Sequence, residues 1–348
     1  MTTTTPDSGP LADRPSGLVR TRGAASHPVV TFVARRIGAA VLTLLVASVL
    51  IYLAVLVLPG NVAQVVLGRN ATPQLLTAVQ GQLHLNQPIP YRYLHWLSGL
   101  LTGHLGNSMA ALAQGQTVSV GHQIATPLRN SLVLAAITIV VFIPLSLALG
   151  TIAALRAGGK TDNAISLTGL ALGSLPEFLI GTLLIALFFS QLHLFPAVST
   201  IGPGQTPFTH VNALVLPVLT LLCISVAFGT RLLRASIIEV LREDHVGMAR
   251  LNGIRERRVT WRYVLRNALA PYVQVVAQMI QYLLGGIIIT EAVFNYPGIG
   301  TTLVQAVQVR DPQVVSVVAI LLATVYITIN ILADLAVVLL VPKLRTQL

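Results

Sequence analysis

Three groups of residues in this chain have types and spacings that chemistry can use. The first is Gly159-Lys160-Thr161, which matches the end of the phosphate-binding pattern G-x-x-x-x-G-K-[ST]. That loop cradles phosphates with backbone N–H groups after a strand, and it needs a glycine where Ala154 stands. Ala154 closes an apolar run, so this chain is not expected to bind nucleotide. The second is Glu177, set within an apolar run, where an unpaired carboxylate in lipid costs at least about 2.5 kcal/mol. Such an acid either meets a passing solute or is held by a partner that ties helices together, and both readings stand. The third is Gln274, Gln278 and Gln281, at positions i, i+4 and i+7, with Gly285 continuing the face. A polar stripe beside small residues lines an aqueous path or joins helices, and a transport role favours the path. The eight histidines are scattered and the single cysteine, Cys223, sits in an apolar run. No metal-ligand spacing results, and no nucleophile–base pair is evident, so neither a metal site nor a catalytic residue is expected.

The elements that position these residues follow from composition. Of 348 residues, 54% are hydrophobic and 9% charged, with mean hydropathy +0.78. Soluble domains carry roughly 25% charged residues, so this supply does not cover a water-facing surface. The chain reads as an all-α integral membrane protein, since lipid leaves backbone polar groups no partners outside a helix. Six apolar runs reach spanning length: Ile37–Leu58, Ser131–Leu155, Ala164–Ser190, Ala213–Leu233, Ala268–Phe294 and Val314–Val341. Pro144, Pro176 and Pro217 are expected to kink their helices.

A net charge of +11 would suggest nucleic acid in a soluble protein, but here its distribution matters more. Eighteen of the 22 Lys and Arg lie in the two ends and the second–third and fourth–fifth connections; four lie on the other side. Both termini are therefore read as cytoplasmic. Residues 1–30, polar and Pro/Gly-rich, read as a flexible cytoplasmic arm without a secretory signal. Residues 31–58 make the first span and 59–128 an extracytoplasmic segment, with short amphipathic helices over Leu75–Leu83 and Tyr91–Leu101. Residues 129–342 form a five-helix core, and 343–348 a cytoplasmic tail. Asn330 and Asp334, one turn apart in the last span, suit structural pairing.

The connection 231–267 holds nine arginines. Ile237, Ile238, Leu241, His245, Met248 and Ala249 recur at helical spacing, Gly253 permits a left-handed turn, and Glu256 to Arg266 makes a second helix. Pro271 then suits the first turn of the next span. Contact with anionic lipid explains the arginines, but not the small-residue surface around Gly247–Ala249. A flat knob of that kind suits docking into a groove on another protein.

The run Asp244-His245-Val246-Gly247-Met248-Ala249-Arg250-Leu251-Asn252-Gly253-Ile254 resembles the EAA loop of ABC-importer permeases, in its dipeptide/oligopeptide form. Gly247 and Met248 replace the loop's usual glutamate and first alanine. Other segments agree in order: Leu58-Pro59-Gly60, His84-Leu85-Asn86-Gln87-Pro88, Gly103-His104-Leu105-Gly106-Asn107-Ser108, Ser174-Leu175-Pro176-Glu177-Phe178, Glu291 to Gly300, and Arg310-Asp311. Within these, Tyr296-Pro297-Gly298-Ile299 reads as a type II turn.

The resemblance implies the type I ABC-importer permease fold, with six transmembrane helices, in a bacterial cell membrane. It implies three protein partners: a homologous second permease, ABC ATPase subunits that bind the ATP and Mg, and an extracytoplasmic substrate-binding lipoprotein. No cofactor is expected on this chain, which meets lipid but not nucleic acid. The residues it assigns to ATPase coupling are Asp244, His245, Gly247, Met248, Ala249, Arg250 and Gly253. Glu177, Gln274, Gln278 and Gln281 would line the path. Asn295, Tyr296, Pro297, Gly298, Arg310 and Asp311 would form an outer gate or binding-protein surface. The implied cargo is dipeptides or oligopeptides, with nickel or another small solute as the alternative. An ion-driven transporter using Glu177, Glu291 or Asp334 is the competing mechanism.

Overall fold

The computed structural model describes residues 28–56, 87–202 and 205–340, with positions 74 and 81 in isolation. The arm before residue 28, the stretches around Leu58-Pro59-Gly60 and Leu75–Leu83, and the tail 343–348 lie outside the described residues. Most of the rest is helical: α1 Pro28–Leu56, α2 Ile89–Thr102, α3 Met109–Ala113, α4 Val120–Leu155, α5 Lys160–Gly173 and α6 Glu177–Leu184. A π-helical stretch, Ile185–Gln191, extends α6. Then come α7 Val211–Leu241, α8 Asp244–Leu251, α9 Arg266–Phe294, α10 Ile299–Gln308 and α11 Pro312–Leu340.

Among the described residues five helices are long and apolar enough to cross a membrane, and the α5–α6 pair makes a sixth crossing if taken as one broken span. The antiparallel course of α9 and α11 brings the start of α1 to the end of α11, where Arg36 pairs with Asp334 at 3.1 Å. Both ends of the described chain therefore sit at the α8 end of the bundle.

The centre is α7, the most buried span, which packs chiefly against α4, α9 and α5. Close approach there depends on small residues, as between membrane helices generally. A Cβ on Gly229 of α7 would stand 2.6 Å from the Phe142 ring of α4. Pro144 lies inside α4, and polar groups gather beside it. The Tyr272 hydroxyl donates to Ile143 O at 3.1 Å, and Ser146 Oγ donates to Phe142 O at 2.7 Å.

Several expected boundaries differ. α4 begins at Val120 rather than Ser131, and α7 runs on to Leu241 rather than stopping at Leu233. Polar residues cut the apolar runs short, but the backbone stays helical because those residues find partners. Ile237 and Leu241 consequently belong to α7, separated from His245 and Ala249 in α8 by a turn at Arg242–Glu243. Pro271 does not open a helix: a turn at Glu256–Arg258 and a π-helical stretch, Val259–Leu265, lead directly into α9, and Pro271 lies within it. The third span is broken rather than kinked, with α5 and α6 bent by 105°. Proline disfavours helical backbone in the residue before it, so the chain leaves α5 at Ser174 and restarts after Pro176.

Candidate functional site

Four constellations carry the expected site residues. At one end, α8 and the turn after it form a corner on an apolar seat. Asp244 in the first turn and Arg250 in the last complement the helix dipole. Gly253 takes φ 72°, in the left-handed region, as expected. Arg250 clamps the turn through Nε–Glu256 Oε1 at 2.9 Å, and the His245 ring bridges Glu243 and Asn267, each at 3.0 Å. Val246 and Ala249 are buried with Ile237, Val240, Val264 and Ala268. Ala249, expected on a docking knob, therefore faces its own protein. The outward apolar face is made by Met248, 59% exposed, and Leu251, 84% exposed, with Gly247 between buried positions and open to solvent. Trp261, 66% exposed, stands nearby in the basic stretch. Leu251 and Trp261 were not singled out by sequence; helical phase alone offered the signal, since Leu251 lies three residues after Met248.

At the broken span, Glu177 is the first residue of α6 rather than a mid-helix acid. There its carboxylate meets the positive end of the helix dipole and accepts a hydrogen bond from the Tyr282 hydroxyl of α9. The Tyr282 ring lies 6.4 Å from that of Phe228 on α7, over which the Arg231 guanidinium sits at 5.3 Å. The glutamine stripe divides. Gln281 donates to Asn330 Oδ1 of α11 at 3.1 Å, whereas Gln274 and Gln278 lie exposed.

At the opposite end from α8, the α9–α10 corner is locked. Glu291, fully buried, accepts from Ser131 Oγ at 2.5 Å, Gly300 N at 2.8 Å and Thr301 N at 3.3 Å. Asn130 Nδ2 donates to Pro297 O at 2.9 Å, and the Tyr296 hydroxyl donates to Asn130 O at 2.8 Å. Burial pushes the Tyr296 phenol pKa up, and the neighbouring Glu291 charge adds to it. The expected type II turn is absent, because Gly298 has φ −108° and its N–H bonds to Tyr296 O, not the four-residue pattern. The left-handed residue is Asn295, at φ 47°. Gly298 is instead required by contact: a Cβ there would fall onto the Glu291 carboxyl.

Asp311, also buried, accepts from Ser108 Oγ at 2.5 Å, Ala110 N at 3.1 Å and Val314 N at 3.2 Å, tying α3 to the start of α11. Of the six residues expected in a gate or docking surface, Asn295 and Arg310 are exposed, whereas Tyr296, Gly298 and Asp311 are buried. A further pair escaped sequence reading. Arg234 on α7 binds Asp162 on α5 through two bonds, of 2.5 and 2.7 Å, and Asp162 also accepts from Gly158 N at 2.8 Å. The Gly159-Lys160-Thr161 stretch is thus the start of α5.

The sequence aligns with known families over most of its length. Residues 146–346 match the family described as binding-protein-dependent transport system inner membrane component, and 29–148 match the N-terminal domain of such membrane components. A probable peptide ABC transporter permease of Sinorhizobium fredii is 33% identical over 318 residues, 90% of this chain and 99% of that protein. Glutathione transport system permeases of Pectobacterium atrosepticum and Escherichia coli K12 are each 33% identical, over 90% and 91% of this chain and 98% and 99% of their own lengths. The six-crossing helical bundle is the type I ABC-importer permease fold, and the chain belongs to the family of binding-protein-dependent transport inner membrane components.

Proposed function

We propose that this chain forms one half of the translocation path of an ATP-driven importer of short peptides, glutathione-type peptides included. The relatives named for peptide and glutathione transport support the cargo. The observation that carries the mechanism is the α8 corner, where Met248 and Leu251 project from a helix whose opposite face is buried in the bundle. Met248 and Leu251, 59% and 84% exposed, make an apolar pair on an otherwise polar outer face, which fits a groove on another protein. In this reading α8 is cytoplasmic, an ATPase subunit covers Met248 and Leu251, and closure of the ATPase pair pulls α8 and, through Val246 and Ala249, the ends of α7 and α9. Alternating access then results from a partner that contacts two states of the bundle differently. A homologous second permease completes the path, and an extracytoplasmic binding protein delivers cargo over the surface holding Asn295 and Arg310.

The ion-driven alternative draws less support from the geometry. Of the three acids it could use, Glu291 is held by three donors, Asp334 by Arg36 and Glu177 by the Tyr282 hydroxyl. The test is uptake of dialanine, trialanine and glutathione by proteoliposomes holding the complete complex, with and without ATP. Uptake that needs ATP and is lost in Leu251→Glu is the expected result. Undiminished ATP-driven uptake in Leu251→Glu refutes the docking role of α8, and uptake driven by a proton gradient without ATP refutes the importer reading.

A further inference from the structure

We propose that the break between α5 and α6 is a two-ended subsite for a zwitterionic peptide, with Glu177 taking the α-ammonium group and Arg231 the terminal carboxylate. The inference rests on the peptide-importer reading above and goes further, to how this chain itself recognises cargo.

Two neighbouring arginines on α7 differ in a way that topology does not explain. Arg234 is satisfied by the two-bond pair with Asp162. Arg231 has no ion pair among the described residues; its guanidinium lies over the Phe228 ring. A guanidinium held over a ring face forms a cation–π contact that uses none of its N–H groups, which stay available for bidentate binding of a carboxylate. Arg231 also lines a cavity of about 150 Å³ with Gly169, Gly173, Ser174 and Phe228. That volume is well under the roughly 300 Å³ of pockets that enclose a whole ligand, so it seats one end of a molecule.

The opposite charge stands across the same break. Ser174, a wall of the cavity, precedes Glu177 by three residues, a chain distance of at most about 11 Å. An extended peptide of two or three residues spans about 7–11 Å. The Glu177 carboxylate uses the Tyr282 hydroxyl as one donor, and a carboxylate accepts up to about four. Beside it α9 has Gly286, where a Cβ would meet Leu221 Cδ2 at 3.3 Å and Glu177 Oε1 at 3.4 Å, so the missing side chain is what lets the acid lie against α9. Tyr282 and Phe228 form an aromatic bridge from the acid to the arginine.

The test uses proteoliposomes of the complete complex and three labelled probes: trialanine, N-acetyl-trialanine and trialanine amide. Because the binding protein is the same in every sample, its own preferences cancel when variant is compared with wild type. Glu177→Gln is expected to lower trialanine uptake about tenfold while leaving N-acetyl-trialanine uptake at its wild-type level. Arg231→Gln is expected to do the same with trialanine amide as the unaffected probe, and Arg231→Lys to recover part of the loss. If each variant depresses all three probes by one factor, or changes none of them, the two-ended subsite is overturned while the importer reading survives. If the wild-type complex imports none of the three, the peptide reading fails and the subsite with it.

Discussion

The α8 corner and the α9–α10 corner are built on one plan and stabilised in opposite ways. Each reverses the chain beside a long helix, and each spends one left-handed residue, Gly253 in the first and Asn295 in the second. Around α8 the polar pairs, Arg250–Glu256 and His245–Glu243, lie largely at the surface, where such pairs contribute about 0–1 kcal/mol each. Its hold on the bundle is the apolar contact of Val246 and Ala249. Around α9–α10 the polar groups are interior, and one carboxylate gathers two backbone N–H groups and a serine hydroxyl from α10 and α4. An apolar seat permits sliding, because it has no directional bonds to break. A buried hydrogen-bonded carboxylate does not. The first corner is suited to transmit motion and the second to fix a hinge point against which motion is measured.

The comparison breaks most visibly at Glu291. Glu291→Ala strips the acceptor from Ser131, Gly300 N and Thr301 N, and each buried unsatisfied donor costs about 1–3 kcal/mol. A loss of about 3 kcal/mol or more is expected, read as a lowered unfolding midpoint of the purified complex; an unchanged midpoint would remove the claim that this corner is locked. Gly298→Ala presses a methyl group onto the same carboxyl and is expected to cost about 1–3 kcal/mol. In the double variant the clash has no target, so the two losses should add to less than their sum. Full additivity would separate Gly298 from Glu291.

A smaller effect is expected at Gly253. A Cβ there meets open space, so the penalty is conformational, about 1–2 kcal/mol for an ordinary side chain in the left-handed region. Gly253→Val should show that cost in the unfolding midpoint, and Gly253→Asn less of it, because asparagine visits this region readily. Equal midpoints for the two would mean that the turn does not hold its left-handed geometry in the membrane.

How much of this was legible follows from where each signal resides. The outer spans, α1 and α11, are local apolar runs and read directly. The true extents of α4 and α7 did not, because Asn130, Ser131, Arg231 and Arg234 look like boundaries until their partners are known. Those partners are Pro297, Glu291, Phe228 and Asp162, most of them far away in sequence. Pro176 announced an interruption, but the 105° bend depends on how α6 packs against α7 and α9. Gly298 was visible as a turn residue, yet its role is a close approach, which no local pattern encodes. The chemistry of the α8 loop was legible and its orientation was not: Ala249 is turned inward by Val264 and Ala268, contributed by the helix that follows.

That orientation supplies the sharpest test within a single helix. Val246 and Leu251 are both apolar, and both lie in α8, but Val246 is buried and Leu251 is 84% exposed. Val246→Ser should lower stability by about 2 kcal/mol, since it removes buried methyl groups and leaves a hydroxyl to satisfy. Leu251→Ser should fall within about 0.5 kcal/mol of the parent, as surface changes do. Transport should rank the pair the other way. At a temperature where both variants remain folded, Leu251→Ser loses ATP-driven uptake, whereas Val246→Ser, which thins the seat that passes the pull to α7 and α9 but leaves Ala249 in place, retains part of it. If uptake instead follows stability, α8 is a structural strap and the outward leucine serves nothing beneath it. If uptake and stability part company, the same short helix has one face for its own bundle and one for its motor.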